Sequence, residues 1–301
     1  MAECQLCPRL CKADRAAGER GFCGATSRVR VGRAMLHRWE EPCLVVGGGS
    51  GAVFFGSCPL GCVFCQNAPL SQGDAGVDTD CEGLVRTFLS LQEAGASNIN
   101  LVSATPYLEA VTEAVREAKR RGLSLPIVYN TSGYERAQSI RRLDGLVDVY
   151  LPDLKSLSRR FCAKYLQAPD YPEIATAAIR EMVRQTGKPH LNSEGALVRG
   201  TLVRHLVMPK GEHDSLRVIE HLARYGDEIV VSLMSQYTPT EAVRGDARLS
   251  QRVSPVMYRR LCRRAEEVLS ALYTQEGESA DESFIPDFTG AGVLMAENIN
   301  D

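Results

Sequence analysis

Ala52-Val53-Phe54-Phe55 runs without a break into Gly56-Ser57-Cys58-Pro59-Leu60-Gly61-Cys62-Val63-Phe64-Cys65. Four consecutive apolar residues read as a strand buried on both faces, and the glycine- and cysteine-rich stretch reads as its exit loop. Runs of the same kind recur at Ile99–Ser103, Ile127–Asn130, Val147–Leu151, Leu202–Met208 and Ile229–Met234. They are continuous rather than alternating, as strands of a parallel sheet are when helices cover them. Six such strands with long crossovers predict right-handed βαβ units and a curved α/β sheet. Six units fall short of the eight of a closed barrel, so the expected fold is an open, partial (β/α)6 barrel. The cysteine loop then leaves the C-terminal end of the first of these strands, where barrel active sites are built.

Helical signals lie between the runs. Thr79-Asp80-Cys81-Glu82 has the form of a capping box ahead of an apolar-periodic segment through Leu91. Thr105-Pro106 offers an N-cap and a proline at the first helical position, with Leu108, Val111 and Val115 on one stripe and Gly122 at the end. Asp214 is positioned to cap a third helix carrying Leu216, Ile219 and Leu222 inside, with Gly226 after it.

With 301 residues, 44% of them hydrophobic, the chain can bury a substantial core. Composition divides it into a cysteine-rich extension over 1–49, the barrel over 50–275 and an acidic tail over 276–301. From Gln275 to Asp301 the 27 residues hold seven acids and no base, the signature of a solvated or loosely docked tail. The Phe284-Ile285-Pro286-Asp287-Phe288 stretch is apolar enough to pack back on the domain. Thirty-five basic against thirty-seven acidic residues give a net charge of −2. That balance offers no field for nucleic acid or a membrane surface. The N-terminus lacks the pattern of a signal peptide, and no apolar run approaches the ~18 residues of a membrane span. A cytoplasmic location follows, in which eleven cysteines are read as metal ligands before disulfides.

Cys58-x3-Cys62-x2-Cys65 supplies three thiolates, enough for three irons of a cubane cluster. Electron-transfer [4Fe–4S] clusters use four cysteines, so a set of three implies an outside ligand on the fourth iron. The amino and carboxylate groups of a methionine can chelate that iron and bring a sulfonium beside the cluster. One electron then cleaves the S–C5′ bond of S-adenosylmethionine, yielding methionine and a radical that abstracts hydrogen atoms. A zinc knuckle is the competing reading, though its cysteines come as C-x2-C pairs; chance clustering is another.

The stretch from Glu40-Glu41-Pro42 through Phe54-Phe55-Gly56-Ser57-Cys58 to Cys65-Gln66-Asn67 resembles the radical S-adenosylmethionine superfamily, within it the branch similar to pyruvate formate-lyase activating enzyme. The likeness extends to Asn98–Pro106, Val128–Glu135, Asp148–Lys155, Arg204–Pro209 and Ser232–Tyr237. It implies that Cys58, Cys62 and Cys65 bind the catalytic [4Fe–4S] cluster and that Phe64 and Gln236 flank S-adenosylmethionine. Ser103 and Thr105 stand where the family carries a Gly-Gly-Glu motif for the methionine amino group. Asn130 and Ser132 stand in the place of an Asp-Thr-Asn-Gly run in the activases, suited to a carboxylate or ribose. Asp153 and Lys155, two apart at a strand end, project to the same side. Arg204, a charge within an apolar strand, needs an anionic partner, for which the methionine carboxylate is the candidate. The branch further implies an electron donor such as flavodoxin or ferredoxin and a glycyl-radical enzyme, or another protein, as substrate.

A second set, Cys4-x2-Cys7-x3-Cys11-x11-Cys23, has four potential ligands, with Gly18, Gly21 and Gly24 available for tight turns. Zinc, a single iron or an auxiliary iron–sulfur cluster are all open to it. Cys43, Cys81, Cys162 and Cys262 read as small buried hydrophobes. His37 and His205 are ambiguous, and Arg259, Arg260, Arg263 and Arg264 read as a solvated helix face that could instead meet an acidic reductant. Three other functions stay open: radical chemistry on a small molecule or peptide, a non-catalytic iron–sulfur carrier, and a zinc-dependent nucleic-acid module. Near-neutral charge weighs against the last.

Overall fold

A computed structural model describes residues 3–275 and 286–295. In chain order its elements are β1 (Val29–His37), β2 (Ser50–Phe55), α1 (Ala68–Ser71), β3 (Val77–Thr79), α2 (Cys81–Glu93), β4 (Ile99–Val102), α3 (Leu108–Arg120), β5 (Ile127–Thr131), α4 (Ala137–Arg141) and β6 (Val149–Pro152). There follow α5 (Arg159–Tyr165), α6 (Tyr171–Thr186), β7 (His190–Leu191), β8 (Leu197–Leu206), α7 (Glu212–Leu222), β9 (Val230–Met234), α8 (Pro255–Val268) and β10 (Leu272–Thr274).

One sheet runs β10-β9-β8-β6-β5-β4-β2-β1-β3, with β7 paired to β8. From β2 to β10 neighbouring strands along this path are parallel. β1 lies antiparallel to β2, and β3 antiparallel to β1. Among the described residues the two edges do not pair, which leaves an open barrel. The six expected strands are all present. A seventh parallel strand, β10, joins them; its three residues are too few to give a periodic signal. Composition placed residues 29–37 in the extension, but β1 pairs along nearly its whole length with β2 and is part of the sheet.

Side chains sort by face. Val53, Phe55, Leu101, Tyr129 and Tyr150 point outward into a core shared with α2, α3 and α6. Burying such side chains is worth roughly 1.5–3 kcal/mol each. On the inner side Ala52 and Phe54 pack with Leu70, Met35 and Val102. The connection between β1 and β2 inserts Cys43 and Leu44 among Val128, Leu151 and Leu202, closing the N-terminal end of the barrel.

Three caps differ from expectation. Asp80, not Thr79, caps α2 by accepting from the Gly83 amide at 2.8 Å, while the Thr79 hydroxyl donates to the Leu294 carbonyl. Thr105 opens a 3-10 turn before α3 and gives its hydroxyl to Glu135. Asp214 lies within the first turn of α7 and accepts from Ser156 and the Leu157 amide, tying α7 to the loop after β6.

Of the tail, Phe284 and Ile285 fall outside the described residues. The segment 286–295 docks along β1: Gly290 donates to the Gly32 carbonyl and the Ala34 amide donates to Ala291. Phe288 meets Phe54 with ring centroids 6.0 Å apart, and Asp287 pairs with Arg33. Among the described residues no helix is long and apolar enough to cross a membrane. All eleven cysteines are free thiols.

Candidate active site

Cys58, Cys62 and Cys65 sit on the loop between β2 and α1, at the C-terminal edge of the sheet. The barrel grips this loop from both sides. Gly56 donates to the Arg30 carbonyl, Ser57 to Leu70, Gly61 to Leu166 and Val63 to Tyr165. Ser57 holds a left-handed φ of 68° where β2 turns into the loop, a conformation that strains any residue but glycine. The Leu60 amide is directed at the Cys58 sulfur. Burial and the neighbouring thiols push the Cys58 thiol well up, and burial is the main cause that pushes Cys62 up to about 12. Coordination to a metal reverses that preference, since a bound thiol is deprotonated.

Facing the loop is Lys155, whose ammonium acts on Cys58 and Cys62. Its Nζ donates to Asp153 at 2.6 Å, and its backbone amide donates to the Tyr171 hydroxyl at 3.0 Å. Burial opposes the charge of Asp153, but Lys155 and Arg204 outweigh it and hold the carboxyl below the usual carboxylate range. Gly133, between the ends of β5 and β6, approaches so closely that a Cβ would stand 2.2 Å from the Asp153 carbonyl. With its φ of +80°, no other residue fits there.

Arg204 has protein partners. Its guanidinium reaches Asp153 at 3.0 Å, Glu40 at 3.2 Å and the Asn130 carbonyl oxygen at 2.7 Å. Glu40 also accepts from Asn130 at 3.1 Å and from Asn100 at 2.9 Å. The anion that Arg204 requires is supplied within the protein by Asp153 and by Glu40, which the β1–β2 connection delivers into the barrel together with Glu41. Glu41 is buried against Ser232, and burial pushes its carboxyl up to about 7. Neither Glu40 nor Glu41 was assigned a role from sequence. The signal was present in Arg204 itself, whose buried charge required an anion, and in an acidic pair lodged beside Pro42.

The other expected contacts divide. Ser103 ends β4 with a φ of +63° and donates its amide to Asn130, so a serine occupies a conformation that favours glycine. Ser132 lies at the same rim, its carbonyl accepting from the Tyr171 hydroxyl at 2.8 Å. Gln236 follows β9, half-buried. Thr105 turns away to Glu135, which also accepts from Thr131 and Tyr129 and whose carboxyl burial pushes up to about 7. Phe64 packs in the core between Phe161 and Tyr237, at 6.3 and 6.1 Å. His205 is structural: its ring joins the Leu154 carbonyl to the Ser215 hydroxyl. His37 packs edge-on against Phe54. Arg260 and Arg264 pair with Glu212 and Glu220 of α7. Cys43 and Cys162 are buried, whereas Cys81 and Cys262 are half-buried.

Among the described residues no three His, Cys, Asp or Glu side chains converge as a single-ion site would require. A cubane makes a different demand, since each thiolate takes its own iron. The triad fits one chemically: three thiols on one loop, an amide directed at sulfur, and a lysine to balance an anionic cluster. Asn100 Oδ1, Thr238 Oγ1 and Thr240 Oγ1 are buried without a hydrogen-bond partner among the described residues, which suits a polar ligand.

Residues 52–200, just under half of the chain, match the family model of the Radical SAM superfamily, and this segment is a domain of that superfamily. It is 27% identical over 245 residues to an uncharacterized protein of Methanocaldococcus jannaschii, covering 78% of this chain and 66% of that relative, just under two thirds of its length. A radical SAM methyltransferase from Sphaerobacter thermophilus shares the fold, with a TM-score of 0.52 at 17% identity over 75% of this chain and 66% of that one. A domain of pyruvate-formate lyase-activating enzyme from Bacteroides vulgatus aligns over 57% of this chain and 92% of that chain, at 14% identity and a TM-score of 0.40.

Proposed function

We propose that this chain is a radical enzyme that takes a hydrogen atom from its substrate, in the manner of the glycyl-radical-enzyme activases. The carrying observation is the triad of Cys58, Cys62 and Cys65 on the exit loop of β2, with Lys155 facing it. A [4Fe–4S] cluster on the triad would supply one electron to bound S-adenosylmethionine, releasing methionine and a 5′-deoxyadenosyl radical that becomes 5′-deoxyadenosine on taking the substrate hydrogen. The chain's own residues provide the setting. Lys155 offsets the charge of the thiolates, and Asp153 fixes Lys155. The Glu40–Arg204–Asn130 network builds a rigid polar wall, while Ser103, Ser132 and Gln236 stand at the rim as contacts for the cofactor. An electron donor of the flavodoxin or ferredoxin type, docking on the exposed arginines of α8, completes the cycle. Free thiols throughout suit a reducing cytoplasm.

A peptide or small molecule is the second reading of the substrate. Phe288 favours it by packing against Phe54, which takes up space on the inner wall.

Anaerobic reconstitution with iron, sulfide and reductant tests the assignment. 5′-Deoxyadenosine should form from S-adenosylmethionine, and the cluster's EPR spectrum should change when S-adenosylmethionine is added. Zinc as the sole metal at the triad, with no deoxyadenosine formed, sinks it.

A further inference from the structure

The N-terminal head holds four cysteines that the proposed radical chemistry does not use. Its backbone carries little regular structure, one 3-10 turn over Arg15–Ala17, yet it is sharply folded. The Leu10 amide donates to Cys7 at 3.2 Å, Lys12 to Cys4 at 3.0 Å, and Cys4 to Ala13 at 3.2 Å. Leu10 and Lys12 adopt left-handed φ values of 46° and 56° on either side of Cys11. Two non-glycine residues in that region within three positions are costly, at about 1–3 kcal/mol each, and persist where something over-determines the turn.

That something is gathered sulfur. Cys4 lies in electrostatic range of Cys11, and Cys7 of both Cys4 and Cys23. Backbone amides two residues on are directed at the sulfurs, Leu6 at Cys4 and Arg9 at Cys7. Arg15 Nη2 lies 3.5 Å from Cys23 Sγ. Gly21 backs onto Cys11 so tightly that a Cβ there would come within 2.3 Å of its Sγ. Four thiols gathered in one short head, with N–H donors directed at Cys4, Cys7 and Cys23, form a surround for thiolates rather than for apolar thiols.

We propose that Cys4, Cys7, Cys11 and Cys23 bind an iron–sulfur cluster of their own, each thiolate taking its own iron, with a coordination sphere closed by the head alone. The centre also has mechanical consequences. Arg9, between two of the ligands, crosses to the radical loop: its Nε donates to Pro59, next to Cys58, at 2.8 Å, and Nη1 to Gln167 at 2.7 Å. Phe22 lies under its guanidinium at 3.7 Å. Metal in the head therefore fixes the arm that holds the radical loop.

The test uses the full chain with Cys58, Cys62 and Cys65 all replaced by alanine. Reconstituted with iron plus sulfide, and in parallel with zinc, it should retain about four irons per chain and no stoichiometric zinc. Metal analysis and Mössbauer spectra measure both. Adding Cys7→Ala and Cys11→Ala should lower the content at least about tenfold. A second readout needs no change in the head: native alkylation of the loaded chain should spare Cys4, Cys7, Cys11 and Cys23 while Cys81 and Cys262 react. Absence of bound iron, one zinc in its place, or labelling of the four at the rate of Cys81, overturns the proposal. Because the triad is absent from this variant, failure here and failure of deoxyadenosine formation in the wild type are separate results.

Discussion

The two cysteine sets are built on one local device and two scaffolds. In both, a backbone amide two residues beyond a cysteine is directed at its sulfur: Leu60 at Cys58, Leu6 at Cys4 and Arg9 at Cys7. The radical loop, however, takes its shape from the barrel, through Arg30, Leu70, Leu166 and Tyr165, and is faced by Lys155. The head takes its shape from its own turns and leans on the barrel through a few arms. Three thiolates on a rigid frame leave an iron open for chemistry, whereas four on a self-contained knot close it. Ligand count sets the role, and the scaffold sets how much movement each site tolerates.

The comparison can be broken most decisively at Cys62. Cys62→Ala should lower 5′-deoxyadenosine formation by at least about 100-fold while metal in the head is unchanged; equal loss from both sites would mean that they are one site. Next in size is Arg204→Met, which strands Glu40 as a buried carboxylate and leaves Asp153 to Lys155 alone, and should cost about 3–5 kcal/mol in urea unfolding. Glu40→Gln added to it should restore part of that loss, again with no effect on the head.

Glu41 gives the comparison a pH dependence. Its carboxyl titrates about 7 in the fold and near 4.3 unfolded, so the wild type loses stability as pH rises across that interval. Glu41→Gln should therefore gain on the order of 2 kcal/mol at pH 8, with the gain vanishing towards pH 4. A smaller effect is expected from Arg9→Ala, about tenfold in deoxyadenosine formation or roughly 1.4 kcal/mol, with head metal retained. The smallest is Ser139→Ala, which frees the Leu6 carbonyl that Ser139 holds at 2.7 Å. About 1 kcal/mol of head stability should be lost, seen as faster amide exchange over residues 4–13 alone.

Much of this architecture is legible in the sequence because parallel strands are long apolar runs, and six of them announced themselves. What escaped was short or borrowed. β10 has three residues and gains its identity by pairing with β9. β1 was read with the extension because its identity comes from pairing along β2. The triad was legible because a metal loop is local, with its chemistry written in consecutive spacings. Glu40 and Glu41 were not, because a strand-to-strand connection carries them into a barrel whose interior no local pattern reveals. Thr105 and Asp214 were misassigned as caps for the same reason: each has a tertiary partner, Glu135 or Ser156, that a local pattern does not contain.

Along β1, residues 290 and 291 continue the sheet beyond β3 and cover backbone groups that would otherwise face solvent. An uncovered strand edge is a template for pairing with another chain. The covering segment is the last of the described elements to leave the ribosome, whereas β1 is the first strand to do so. Until that segment emerges the nascent protein carries a naked seam, and a chain cut short before Pro286 would display it as an aggregation-prone mark of incompleteness.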